Sequence, residues 1–200
     1  MHYLLLMEIV LATGNMHKKK ELEEILSGHR ILIPSDLGVD FDCDETGLTF
    51  MENALLKAET LYDLVKRPVL ADDSGLCVQA LDGAPGIYSA RYGSEGGVNL
   101  SDSDRNLLLL KNIQGAEDRT AFFVCAMVLI TAPYRVYSVQ EAFDGSIAEA
   151  PFGGGGFGYD PVFIDALSGK TAAELTDEEK NRVSHRGKAG KVMRTLMEAL

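Results

Sequence analysis

Asp72 and Asp73 stand side by side after an apolar run, Pro68-Val69-Leu70-Ala71, and are followed by Ser74-Gly75. The run reads as a short buried strand that stops at the two acids. Ser74 and Gly75 then turn the chain, and residues 76–81 return to an apolar pattern. Side chains alternate along a strand, so the two carboxylates are expected to point in different directions. Two acids at the end of a sheet strand are costly unless something compensates for them. The candidates are a metal, a set of backbone N–H groups, or work as a base on a water molecule. The plainer account is a charged turn between strands.

Other segments carry chemistry of the same kind. Thr13-Gly14-Asn15 ends an apolar stretch and leads into Lys18-Lys19-Lys20 at a helix start. Strand, small-residue turn and helix start together make an anion site, because free N–H groups converge there. Lysines are disfavoured by the helix dipole at that end; a phosphate chain would explain them, and a solvated lysine run is the alternative. Residues 153–161, GGGGFGYDP, hold five glycines in six positions. Such a loop suits close approach of backbone to a ligand, with Phe157 and Tyr159 as flat surfaces and Asp160 as an acceptor; a flexible hairpin tip is the alternative. Ser184 caps a last helix, with His185 and Arg186 just inside its start, off the apolar stripe.

Acids (Glu45, Asp72, Asp73), lysines (Lys18, Lys57, Lys180) and an aromatic, glycine-rich loop point to metal-assisted hydrolysis of a nucleotide. Hard carboxylates suit Mg²⁺, which shares its oxygen ligands with substrate phosphates. Lysines suit phosphate as point charges. Ser74 lacks the GxSxG context of a nucleophile, and His2, His17, His29 and His185 have no zinc spacing. No P-loop is present.

The elements that must position these groups follow from periodicity. Strands are expected over residues 4–12, 68–71, 121–131, 136–143, 145–150 and 162–164. Helices are expected over residues 18–26, 50–65, 104–113, 174–180 and from Ser184 to the end, where Ala189, Val192, Met193, Leu196, Met197 and Leu200 form a stripe. Residues 84–93 read as a glycine-bounded loop, and residues 31–39 as weak strand and loop. At 200 residues the chain fits one globular unit, with two lobes about a cleft allowed. A net charge of −11, from 30 acidic and 19 basic residues, argues against nucleic-acid and anionic-membrane partners. Cys43, Cys77 and Cys125 form no CxxC and read as free thiols of a reducing compartment. With no basic leader and no apolar run long enough to span a bilayer, the expected location is the cytoplasm.

The segments ATGNMHKKKEL (12–22), ETGLTFMENALLKA (45–58), PVLADDSGLCVQALDGAPGIYSARYGS (68–94), GGFGYDPVF (155–163) and GKTAAELTDEEKNRVSHRGKA (169–189) resemble the Ham1/RdgB-type inosine triphosphate pyrophosphatase family. The resemblance implies an α/β fold: a long, twisted mixed sheet with flanking helices, and two lobes around a central active-site cleft. The chain is then a single domain over residues 1–200, with a second lobe at about 84–160. It also implies a homodimer that converts ITP, dITP and XTP to the monophosphate and pyrophosphate with Mg²⁺. In that reading Glu45 and Asp73 hold the metal, Asp73 is the general base with Asp72 beside it as a second acidic catalytic participant, and Lys57 is the catalytic lysine that reaches the phosphates. Thr13, Asn15 and Lys18 grip the triphosphate, and Ser74 contacts phosphate or sugar. Phe157, Tyr159 and Asp160 stack on and orient the purine, and Lys180, His185 and Arg186 read its edge.

Two departures stand out. Residues 1–6 form an extension ahead of the usual start, and His17 occupies a position where such proteins often carry glycine. The rivals are a Maf-like pyrophosphatase of different base preference and a non-catalytic nucleotide-binding module. The SHR and FGYD segments disfavour the first, and carboxylates at the phosphate end disfavour the second.

Overall fold

The computed structural model describes residues 6–94 and 96–200, so the expected extension lies, apart from Leu6, outside the described residues. In chain order the elements are β1 (Glu8–Leu11), α1 (Met16–Ile25), β2 (Arg30–Leu32), α2 (Phe50–Val65), β3 (Val69–Val78), α3 (Asp102–Asn112), β4 (Thr120–Ala132), β5 (Arg135–Ile147), β6 (Phe163–Asp165), α4 (Asp177–Val183) and α5 (His185–Glu198). The strands hydrogen-bond in the order β2-β1-β3-β4-β5-β6. β1 runs parallel to both β2 and β3, with Ile9 opposite Ile31 and Leu11 opposite Leu70. β5 and β6 are antiparallel, with Ser146 opposite Ile164. The fold is α/β with a mixed sheet.

Three elements differ from expectation. β3 does not stop at the acids; it continues through Asp72, Asp73, Ser74 and Gly75 to Val78. Each carboxylate has a cationic partner where it stands, Lys18 and Arg186 for Asp72 and Lys57 for Asp73, so the strand has no reason to end. Residues 136–143 and 145–150, expected as two strands, are mostly one, β5. Gly145 sits inside it because a Cβ there would meet the Ile164 carbonyl and the Phe163 ring. The acidic helix expected at 174–180 begins later, since Thr176 accepts from the Glu179 amide and closes a capping box. By contrast α2 occupies its expected span, started by Thr49 and Glu52 in another capping box.

The chain divides into two compact units. One comprises the described residues through Asp73, Cys125–Glu141 and Arg186–Leu200; the other is Ser74–Val124 with Ala142–His185. In the first unit the sheet is buried on both faces. Ile9, Leu11, Leu70, Cys125, Met127 and Leu129 pack with Leu22 of α1 and Ala189, Met193 and Met197 of α5. Their strand neighbours Val10, Val69, Ala71, Ala126 and Val128 pack with Ala54, Ala58 and Leu61 of α2. Alternation along each strand thus assigns one helix pair and one single helix to opposite faces. In the second unit Leu76, Val78, Leu109, Phe123, Phe143, Phe163 and Tyr159 form one core. Phe163 is its hub, 4.7 Å from Phe123 and 5.0 Å from Phe143 between ring centroids.

The α5 stripe is narrower than its sequence suggests. Ala189, Met193 and Met197 are buried, whereas Val192 is 41% and Leu200 48% exposed. Met193→Ala is expected to destabilise the fold by about 2–4 kcal/mol, and Val192→Ala by no more than about 0.5 kcal/mol. Urea unfolding of both variants measures the difference.

Candidate active site

The pleat of β3 decides what each carboxylate meets. Asp73 shares the parity of Val69 and Ala71 and therefore faces α2. There Lys57 Nζ donates to Asp73 Oδ1 at 2.9 Å and to Glu45 Oε1 at 2.8 Å. Asp73 Oδ2 is buried and has no hydrogen-bond partner among the described residues. Burial pushes the Asp73 carboxyl above its usual range, against the pull of Lys57. Burial also opposes the charge on Lys57, but Asp73, Asp72 and Glu45 outweigh it and hold that ammonium above the ordinary lysine value.

Glu45 reaches this group from an arm that α2 itself restrains. Asn53, fully buried, accepts from the Gly47 amide at 2.8 Å. A Cβ on Gly47 would lie 2.7 Å from that Asn53 oxygen, so glycine is needed for the approach. Glu52 accepts from the Leu48 and Thr49 amides at 2.6 and 3.1 Å. One helix thus supplies Lys57 and the restraints on the residues just after Glu45.

Asp72 shares the parity of Leu70 and faces α1 and α5. Lys18 Nζ lies 3.0 Å from its Oδ1, and Arg186 Nε and Nη2 each donate to Oδ2 at 3.2 Å. The other end of the guanidinium donates to Glu21 Oε2 at 2.6 Å. Cys125 Sγ lies 3.8 Å from Asp72 Oδ2, and burial beside that carboxylate pushes its thiol far up. Burial disfavours the charge on Asp72, yet Lys18 and Arg186 outweigh it and hold its carboxyl well below the usual range. Arg186, expected to read a base, is a member of this ion group.

The turn before α1 is shaped by its own side chains. Asn15 Oδ1 accepts from the His17 and Lys18 amides at 2.9 and 3.3 Å, and Thr13 Oγ1 accepts from the Asn15 amide at 3.0 Å. His17 is exposed. Lys18 has Asp72 as its partner, and Lys19 lies 3.7 Å from both Glu23 and Asp36. Lys18 and Lys19 therefore have acidic partners within the protein.

A separate group belongs to the second unit. Lys180 Nζ, buried, donates to Asp160 Oδ2 at 2.6 Å and lies 4.7 Å from the Phe157 ring centroid. Asp160 Oδ2 also accepts from the Phe157 amide at 2.8 Å. Gly156 permits this, since a Cβ there would collide with the same carboxylate. His185 is buried and stacks on Phe123, with centroids 4.8 Å apart and planes 9° from parallel. Ser74 is half-buried on β3. Tyr159 corrects an expectation: at 4% exposure it is core, not a stacking surface. Its hydroxyl donates to the Ser89 carbonyl at 2.9 Å, fixing the loop from inside.

Glu21 and Asn53 were not singled out as functional from the sequence. The signal was helical spacing: Glu21 follows Lys18 by three residues and Asn53 precedes Lys57 by four, so each shares a face with its lysine.

The sequence profile of the Ham1 family matches residues 9–196. The chain belongs to the Ham1 family. It is 55% identical over 183 residues to the dITP/XTP pyrophosphatase of Treponema denticola, covering 92% of this chain and 94% of that one. It is 45% identical over 197 residues to the dITP/XTP pyrophosphatase of Escherichia coli, covering 96% and 98%. The Ham1 protein structure from Staphylococcus aureus superposes with a TM-score of 0.86 at 40% identity, covering 96% of this chain and 98% of that one. A HAM1 protein from Coxiella burnetii gives 0.87 at 38% identity, covering 98% and 100%.

The pairing of Asp72 sets an expectation for acid stability. Its folded pKa lies below the unbound value of 3.8, so its contribution is present above that pH and is lost as pH falls through the folded value. Asp72→Asn removes the partner of buried Arg186 and half-buried Lys18 and should cost about 3–5 kcal/mol near neutrality. The gap to wild type should narrow as unfolding is measured from about pH 4 downward.

Proposed function

We propose that this Ham1 family member hydrolyses dITP, XTP and ITP to the nucleoside monophosphate and pyrophosphate, removing deaminated purines from the nucleotide pool. The observation that carries the chemistry is the group on the α2 face of β3: two carboxylates, one lysine between them, and a buried Asp73 oxygen without a hydrogen-bond partner among the described residues. The names of its relatives supply the substrate class.

The donor set fits a hard divalent ion. Among the described residues no three His, Cys, Asp or Glu side chains form a ready cage. Mg²⁺ needs none, since it binds through one or two carboxylates together with substrate phosphates and water. We assign Glu45 and Asp73 as its holders. When bound, such an ion supplies charge neutralisation and polarisation of the phosphoryl group.

The chain's own groups do the remaining work. Asp73, its carboxyl raised by burial, takes the proton of the water that attacks the α-phosphorus. Lys57 keeps its charge and orients Asp73 and Glu45. Lys18, with the Thr13–Asn15 turn, binds the triphosphate, and its charge stabilises the departing pyrophosphate. Ser74 adds a hydroxyl contact to phosphate or sugar. Asp72 and Arg186 act through Lys18 by holding it in place. Phe157 and His185 offer ring faces or edges to the base, while Lys180, oriented by Asp160, donates to the O6 of hypoxanthine or xanthine. Adenine would present a donor there, leaving buried groups unmatched at about 1–3 kcal/mol each.

We read the working form as a homodimer, which sedimentation checks, and its location as the cytoplasm, consistent with three free cysteines. Among the described residues no helix is long and apolar enough to cross a membrane.

Pyrophosphate release from XTP, dITP, ITP, ATP, GTP and dTTP, with Mg²⁺ and with EDTA, tests the reading. A metal-dependent preference for the first three is expected; equal rates across the panel would reject it. Asp73→Asn should lower kcat by about 10²-fold or more, and Glu45→Gln should weaken activation by Mg²⁺. Wild-type rates in either variant would remove that residue from the mechanism.

A further inference from the structure

Helix α3 grips the glycine-rich loop by both polar groups of one residue. Asp102 Oδ2 accepts from the Gly158 amide at 2.7 Å, and Asn106 Nδ2 donates to the Gly158 carbonyl at 3.0 Å. Residues four apart share a helix face, so one turn of α3 presents both contacts. Arg105 orients the acceptor: its Nη1 donates to Asp102 Oδ1 at 3.1 Å, while its Nη2 is fixed on the Leu100 carbonyl at 3.0 Å. Asn106 is 3% exposed. Its Oδ1 is buried with no hydrogen-bond partner among the described residues, a cost that the contact to Gly158 must help offset. Gly158 itself has φ +61°, a conformation that favours glycine.

What Gly158 holds is the base-facing group. Phe157 precedes it, and the Phe157 amide donates to Asp160, whose same oxygen receives Lys180. The ammonium of Lys180 in turn lies over the Phe157 ring. We infer that Asp102 and Asn106 are positioning residues for base selection: by fixing the Gly158 peptide they set the Phe157 ring plane and the reach of Lys180 toward a 6-oxopurine nucleoside triphosphate. This rests on the functional reading above. Both residues act through Gly158 in this reading, and neither lies in the segments that carry the family resemblance.

The test is steady-state kinetics of Asp102→Ala, Asp102→Asn and Asn106→Ala on XTP, dITP and dATP, with inorganic tripolyphosphate as inhibitor. Both alanine variants should raise KM for XTP and dITP about tenfold while kcat stays within about twofold. The preference over dATP, whose base presents a donor where the others carry O6, should narrow, and inhibition by tripolyphosphate, which has no base, should be unchanged. Asp102→Asn keeps an acceptor oxygen and should restore KM. Asp102 is half-exposed, at 52% of its side chain, so its variants keep the test independent of any folding defect in Asn106→Ala. Unchanged KM and selectivity in both alanine variants would overturn the inference, as would equal losses with tripolyphosphate. A wild-type enzyme without preference for XTP and dITP would overturn the functional reading first, and this inference with it.

Discussion

The two-residue period of a β-strand governs the chemistry of this protein. Asp72 and Asp73 are neighbours in the chain but occupy opposite faces of β3, because successive side chains must. Each face is already committed to different helices by the same alternation in β1 and β4, where Ile9 and Leu11 pack toward α1 and α5 while Val10 packs toward α2. The core pattern therefore delivers Asp72 to Lys18 and Arg186, and Asp73 to Lys57. A slip of one residue in β3 would exchange the two carboxylates and bury Leu70 on the wrong side. One register specifies both the packing and the placement of the two carboxylates.

The loop at 153–160 obeys a different constraint, close approach of backbone. Gly153 and Gly155 pass so near Ala173 that a Cβ would touch its main chain, and Gly156 leaves room for Asp160 to fold back. Those glycines have specific packing reasons, so the loop's composition does not signal slack. Tyr159 and Asp160, both buried, tether its C-terminal end, and α3 holds the adjacent Gly158. A segment that reads as flexible is restrained at most of its residues.

What was legible in the sequence was whatever has local causes. Helix α2 announces itself through Thr49, Glu52 and the spacing of Ala54, Ala58 and Leu61, and its span was read without error. The acids, lysines and aromatics were recognisable by type, and the structure brings Glu45, Lys57 and Asp73 together. What failed had distant causes. Asp-Asp-Ser-Gly reads as a turn because two acids seem unable to stay in a strand, yet one of the charges that keeps them there, Arg186, lies 114 residues away. Tyr159 reads as a ligand surface because it sits among glycines, but the carbonyl that receives its hydroxyl is 70 residues distant. Val192 fits the α5 stripe by spacing, and only the position of the sheet shows that it misses the core.

The two faces also differ in charge, and that difference supports the proposal of Asp73 as the reactive acid. On the Asp72 side, Lys18 and Arg186 stand against Asp72 and Glu21, so cations and anions balance and the carboxylate is strongly held in its charged form. On the Asp73 side one lysine serves both Asp73 and Glu45. Burial there raises the Asp73 carboxyl instead of being overcome. Two adjacent aspartates are thereby pushed in opposite directions, the arrangement by which enzymes divide roles between like groups. The hold of Lys18 and Arg186 on Asp72 supports the proposal that Asp72 positions Lys18 while Asp73 takes the proton. Asp73 shares Lys57 with Glu45 and keeps a buried oxygen without a hydrogen-bond partner among the described residues, which supports the proposal that an ion or a proton is taken up there.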